Sequence, residues 1–169
     1  MRNTLLGSAL ASALALASIV PPFHAAEVTD GAVPSTMDDA GTHYIIGATG
    51  AHNRNLYTTI VGDLNAVTLT VQNGSILSSS SGLIGYGSTP EATGGSSVLV
   101  TGPGSKWNMP NDLSVGGNTS GNSLTIANGG AGVTRGGSIG NGGSSANNAV
   151  TITGEGSTWT DSGTTYVGI

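Results

Sequence analysis

From Leu69 onward the chain is written in short runs in which every second residue is apolar. Leu69 and Val71, Val98 and Val100, Leu113 and Val115, Leu124 and Ile126, and Val150 and Ile152 share one parity, while Thr70, Leu99, Ser114, Thr125 and Thr151 hold the other. A period of two marks a strand with one buried face, because successive side chains of extended chain point to opposite sides. The runs close on Asn73-Gly74, Gly116-Gly117-Asn118 and Asn128-Gly129-Gly130. Asparagine and glycine tolerate positive φ, so these closures predict sharp corners.

The runs recur along the chain. Residues 69–74 (LTVQNG) match 124–129 (LTIANG), and residues 82–87 (GLIGYG) match 137–142 (GSIGNG), both at an offset of 55. Residues 98–107 (VLVTGPGSKW) match 150–159 (VTITGEGSTW), and 113–116 (LSVG) match 165–168 (TYVG), both at 52. The difference falls in loop 88–97, which is longer than its counterpart 143–149. One unit therefore holds four short strands in 52 to 55 residues. Strands this short, with one apolar face and tight corners, predict a parallel β-helix (β-solenoid) of about two coils per unit. At about 4.8 Å per coil, the rod would be about 20 Å long. The expected core is Val98, Val100, Val115, Leu124, Ile126, Val150, Ile152 and Val167.

The repeated Gly-x-Gly-Ser-x-Trp has two readings. The glycines make a corner, the Ser hydroxyl bonds backbone at the turn, and the Trp ring covers the coil edge. The competing role is a sugar-stacking platform, which makes Trp107 and Trp159 the candidates for contacting glycans.

Composition narrows the function. Only 8% of residues are charged, and the basic ones are Arg2, Arg54, Lys106 and Arg135 against a net charge of -5, which excludes the basic stripe that nucleic acid requires. With 29 glycines and no cysteine, stability must come from packing and backbone hydrogen bonds rather than disulfides. Arg2, the apolar stretch 5–20, Pro21-Pro22 and Phe23-His24-Ala25-Ala26 read as a signal peptide over residues 1–26 and predict Sec export. The stretch is shorter than the roughly 20 residues of a membrane span. Residues 27–68, less regular, read as an N-terminal cap with the first strands, followed by repeat units 69–123 and 124–169, the second truncated.

Candidate chemistry is sparse. His43 and His52, with Asp38 or Asp39, match no compact zinc spacing, so no metal is expected. The acidic residues of the repeats are Glu91, Asp112, Glu155 and Asp161, and none recurs in the other copy. Glycoside chemistry needs an opposed pair of carboxylates, which leaves a composite of Glu155, Asp161 and Asp112 from adjoining coils as the enzymatic alternative. No histidine follows His52, which removes a Ser-His-Asp arrangement from the repeats. Neither a calcium nonapeptide nor a dinucleotide fingerprint is present, so no cofactor is expected.

The segments LTIANGG, SIGNG, VTITGEGSTW and YVG, with their first-copy counterparts, resemble the repeat of bacterial type V secretion (autotransporter) passengers and of PEP-CTERM surface proteins. The resemblance covers residues 69–169. It implies a right-handed parallel β-helical passenger, displayed at the outer membrane or outside a Gram-negative cell, often adhesin-like. Neither a C-terminal β-barrel translocator nor a PEP-CTERM sorting tail follows the repeats, so the chain reads as the N-terminal fragment of a longer protein. The expected function is a non-catalytic adhesin-like stalk or structural spacer, with host or environmental glycans or surface proteins as partners. The alternative is a β-helical polysaccharide-degrading or glycan-binding protein.

Overall fold

The computed structural model describes residues 26–168, and the signal peptide expected over residues 1–26 lies outside them except for Ala26. The described residues form successive coils. The first holds β1 (Glu27–Thr29), a 3₁₀ turn at Asp30–Ala32 and β2 (Thr36–Met37); the second holds β3 (His43–Ile46) and β4 (Arg54–Val61). In the third are β5 (Thr68–Val71) and β6 (Ile76–Ile84), and in the fourth β7 (Ser97–Thr101), β8 (Lys106–Asn108) and β9 (Asp112–Val115). The fifth carries β10 (Ser123–Ala127), β11 (Ala131–Thr134) and β12 (Gly136–Ile139), and the sixth β13 (Ala149–Thr153), β14 (Thr158–Asp161) and β15 (Thr165–Val167).

Every strand pair is parallel, and the strands sort into two sheets. The first runs β1-β3-β5-β7-β10-β13. The second takes the remaining strands, with the long β6 pairing both β8 and β9. Pro110, which has no N–H to give a ladder, lies in the gap that splits the second-sheet strand into β8 and β9. The gap is inherited upward: Asn111 donates to the Ser80 carbonyl at 2.9 Å, and Arg135 donates to the Asn111 carbonyl at 3.1 Å. The architecture is a parallel β-solenoid in which the six layers of the first sheet, from β1 to β13, span about five turns, as the alternating runs predict. Residues 27–68, read from the sequence as a cap with the first strands, contribute β1 to β4 to the same two sheets.

The coil itself is half the sequence unit. Val98, Leu124 and Val150 stack directly, at intervals of 26 residues. Successive coils differ at the corner between the sheets, which is why the sequence repeats only every second coil. Four residues separate Val71 from Ile76 and Ile126 from Ala131, whereas five separate Val100 from Lys106 and Ile152 from Thr158. The longer corner bends at Gly102 and Gly104, with φ of 90° and 80°, a region that side chains with a β-carbon rarely enter. Its serine ties coils together: the Ser105 hydroxyl accepts the Gly74 N–H at 3.0 Å, and that of Ser157 accepts the Gly129 N–H at 3.1 Å.

At the opposite side a buried amide ladder runs between coils. Asn122, fully buried, accepts the Ser96 N–H at 2.9 Å and donates to the Thr119 carbonyl and hydroxyl at 3.1 and 3.0 Å. Asn148, one coil above, accepts the Asn122 N–H at 2.8 Å. These bonds satisfy loop polar groups that would otherwise be stranded in the interior.

Among the expected core residues, Val98, Val100, Val115, Leu124 and Ile126 are buried, and Val150 is half-buried against the same cluster. Ile152 and Val167 depart from expectation, at 44% and 71% exposed. Both sit on the last described coil, where Ile126 and Ile139 cover them from one side only. Their parity is that of the core, but burial in a stack also needs a neighbour on each side.

Candidate functional site

The two tryptophans belong to one inward column of the second sheet. Leu77 pairs with Trp107, Trp107 with Gly132, and Gly132 with Trp159. Rings therefore alternate with a glycine, and the missing side chain of Gly132 leaves room between them. Trp107 is fully buried and its indole N–H donates to the Ser79 hydroxyl at 3.1 Å. It presents no face to a glycan, so a stacking role for it is ruled out by packing. Trp159, half-buried against the core, donates its indole N–H to the Thr134 hydroxyl at 3.0 Å. Trp107 fills the interior, the packing half of the two readings of the motif, and Trp159 holds the same inward position on the last described coil, partly covered.

The aspartates of residues 27–68 brace the coils. The Asp38 carboxylate accepts the N–H groups of Asp63, Leu64 and Asn65 at 3.0, 2.7 and 2.8 Å, and Asp63 in turn accepts the N–H and hydroxyl of Ser88, both at 2.9 Å. Asp30 accepts from the Gly47 and Ala48 N–H groups at 2.7 and 3.1 Å and from the Thr49 hydroxyl at 3.1 Å. Desolvation is the largest single influence on Asp30 and raises its pKa, but these hydrogen bonds, helped by the charge of His52, together hold it below the ordinary carboxylate value. His43 is hydrogen-bonded to the Thr70 hydroxyl at 2.8 Å. Among the described residues no three His, Asp or Glu side chains gather in a way that could hold a metal ion.

The acidic residues of the repeats are dispersed. Glu155 is exposed at a corner. Asp161 is engaged locally: its carboxylate accepts the Thr165 hydroxyl at 2.6 Å and the Gly163 N–H at 3.1 Å, and these bonds, led by that of Thr165, lower its pKa. Asp112 is exposed at the start of β9, paired in the ladder with Gly136.

Asp112 lines a concavity on the second sheet. The outward positions Leu83, Ser114, Ser138 and Tyr166 lie in one column across β6, β9, β12 and β15. Two hydroxyl side chains thus lie between two large ones, and the surface sinks between Leu83 and Tyr166. The hollow has a volume of about 550 Å³, and Asp112, Asn141 and Thr164 also line it. A second hollow of about 480 Å³ shares Ser81, Asp112 and Thr164 with it and reaches Asn111 and Arg135 at the break between strands. The Tyr166 side chain is 54% exposed. An exposed ring, one carboxylate, one guanidinium and several hydroxyls can bind a polar ligand with an apolar face; one carboxylate is short of the pair that glycoside hydrolysis employs.

Sequence reading singled out Trp107 and Trp159 and did not single out Tyr166 and Leu83, which become neighbours of the serines only once the register is known. It also missed Ser79 and Thr134 as indole partners. No family model matches the chain, and neither a curated protein nor a solved structure matches it.

Proposed function

We propose that the chain is an exported, surface-displayed β-solenoid that serves as an adhesin-like stalk or spacer and performs no catalysis. The observation that carries this reading is the unbroken parallel ladder from β1 to β13, with its interior filled and its outward positions given mainly to Ser, Thr and Asn. A stack of this kind projects a neutral hydrogen-bonding surface at a fixed distance, each coil adding about 4.8 Å. The export signal read in residues 1–26 and the resemblance to autotransporter and PEP-CTERM repeats support display at the surface of a Gram-negative cell.

The test is protease shaving of intact cells of the producing bacterium, with an epitope tag inserted in the exposed loop at Glu91. Degradation of the tagged chain by added protease, with a cytoplasmic marker left intact, is the expected result. A tag that becomes sensitive only after lysis overturns the surface reading. The polysaccharide-degrading alternative draws its support from Asp112 beside the hollows. New reducing ends from a polysaccharide, lost on Asp112→Asn, would establish that alternative.

A further inference from the structure

We propose that the hollow between Leu83 and Tyr166 binds a neutral oligosaccharide. Three coil spacings, about 14 Å, separate these two walls along the solenoid axis, which suits a short glycan rather than a single small metabolite. The volume of about 550 Å³ falls within the range of ligand pockets. Each wall and floor residue has a counterpart in the chemistry of a sugar. The half-exposed Tyr166 ring offers a flat apolar surface to the C–H face of a pyranose, and Leu83 does the same at the far end.

Between them, Ser114 and Ser138 supply hydroxyls that donate and accept, as sugar hydroxyls do, and Asn141 and Thr164 add the same capacity at the rim. The two serine hydroxyls are only weakly engaged with each other, at 3.5 Å, so they are available to a ligand. Asp112 can accept two hydroxyls of one sugar through its two oxygens, the stronger, charge-assisted kind of hydrogen bond. Arg135, lining the adjoining hollow with Asp112, balances that charge locally. Asp112 is the one charged residue lining this hollow and Arg135 of the adjoining one offsets it, so the face holds no excess charge to retain a strongly anionic or cationic polymer, which leaves the neutral glycan. The inference does not depend on where the protein is displayed.

The experiment is affinity electrophoresis of the full chain through gels containing neutral glucans, mannans, galactans or xylans, with a polyuronate gel alongside. Retardation by at least one neutral glycan is expected. Tyr166→Ala and Asp112→Asn should each weaken it about tenfold or more, the loss expected of a central contact. Tyr57→Ala, which removes a tyrosine 89% exposed elsewhere on the same sheet, should bind like the parent. Since Tyr166 and Asp112 point outward, both variants should keep the parent's β-sheet circular dichroism and melting temperature, which separates lost binding from lost folding. Absence of retardation in every neutral gel, retardation by the polyuronate alone, or equal losses in the Tyr57 and Tyr166 variants would each overturn the proposal.

Discussion

The Trp107 ring occupies the space that a side chain on Gly82 would need: a β-carbon built there would stand 2.5 Å from Cζ2 of the indole and 2.5 Å from the Met109 sulfur. Gly82 does not adopt a left-handed φ, so alanine fits the backbone and meets only the steric conflict. Gly82→Ala should therefore destabilise the solenoid by about 1–3 kcal/mol, the cost of overpacking a filled interior. Trimming the ring should relieve the conflict. In a double-mutant cycle with Trp107→Leu, the combined loss is expected to fall short of the sum by about 0.5–3 kcal/mol, read from urea unfolding midpoints.

The amide ladder carries a second prediction. Asn122→Ala strands the Ser96 N–H in the interior, while the Thr119 carbonyl loses one of two donors and keeps the Asn148 amide. A loss of about 1–3 kcal/mol is expected. Asn55→Ala, at an exposed position of β4, should stay within about 0.5 kcal/mol of the parent. Amide hydrogen exchange adds a local readout: protection at Ser96 should drop more than protection at Val71.

Parity and corner chemistry made the strands and their inward faces legible from sequence, since both are local. The stacking period was legible only as half of the repeat, about two coils per unit, because neighbouring coils differ in what local rules see. Trp107 and Trp159 flank a glycine at position 132, and corners alternate in length, so sequence similarity appears only at twice the coil length. Asn122 and Asn148 look like ordinary loop residues until stacking buries the loop beneath Gly85 and Gly116, whose added β-carbons would come within 2.3 and 2.1 Å of the two amides. The hollow on the second sheet is the extreme case. Its column residues Leu83, Ser114, Ser138 and Tyr166 are spaced 31, 24 and 28 residues apart, so no single period joins them.

Acid should weaken the N-terminal coils through Asp30. Its pKa is depressed in the folded chain, so it contributes stability that is fully present above the unfolded-state value of about 3.9 and is lost as pH falls through the lower folded value. Melting temperature should accordingly be insensitive to this group above about pH 5 and decline below about pH 4. Asp30→Asn removes the titration. The variant should melt below the parent at pH 7, and the two curves should converge as pH approaches the acid end. Curves that stay parallel down to pH 3 would exclude Asp30 as a source of acid sensitivity.

Position along the stack, rather than parity, sets the damage done by a charge in the core. Sequence alone gives Val100 and Ile152 the same weight, since they occupy the same place in the repeated motif two coils apart. Val100 is fully buried between Val71 and Ile126, whereas Ile152 pairs with Ile126 on one side and is 44% exposed. An aspartate at position 100 has neither water nor a partner for its charge, a defect that costs more than about 4 kcal/mol. At position 152 the carboxylate can turn toward solvent, and the loss reduces to the apolar contact of one side chain, about 1 kcal/mol. Limited proteolysis of the purified chain should therefore find Val100→Asp cut throughout the coils. Ile152→Asp should be trimmed within β13 to β15 and keep the coils below intact, and digestion of both variants at the same rate and sites would show that the stack unfolds as a single unit rather than from its exposed end.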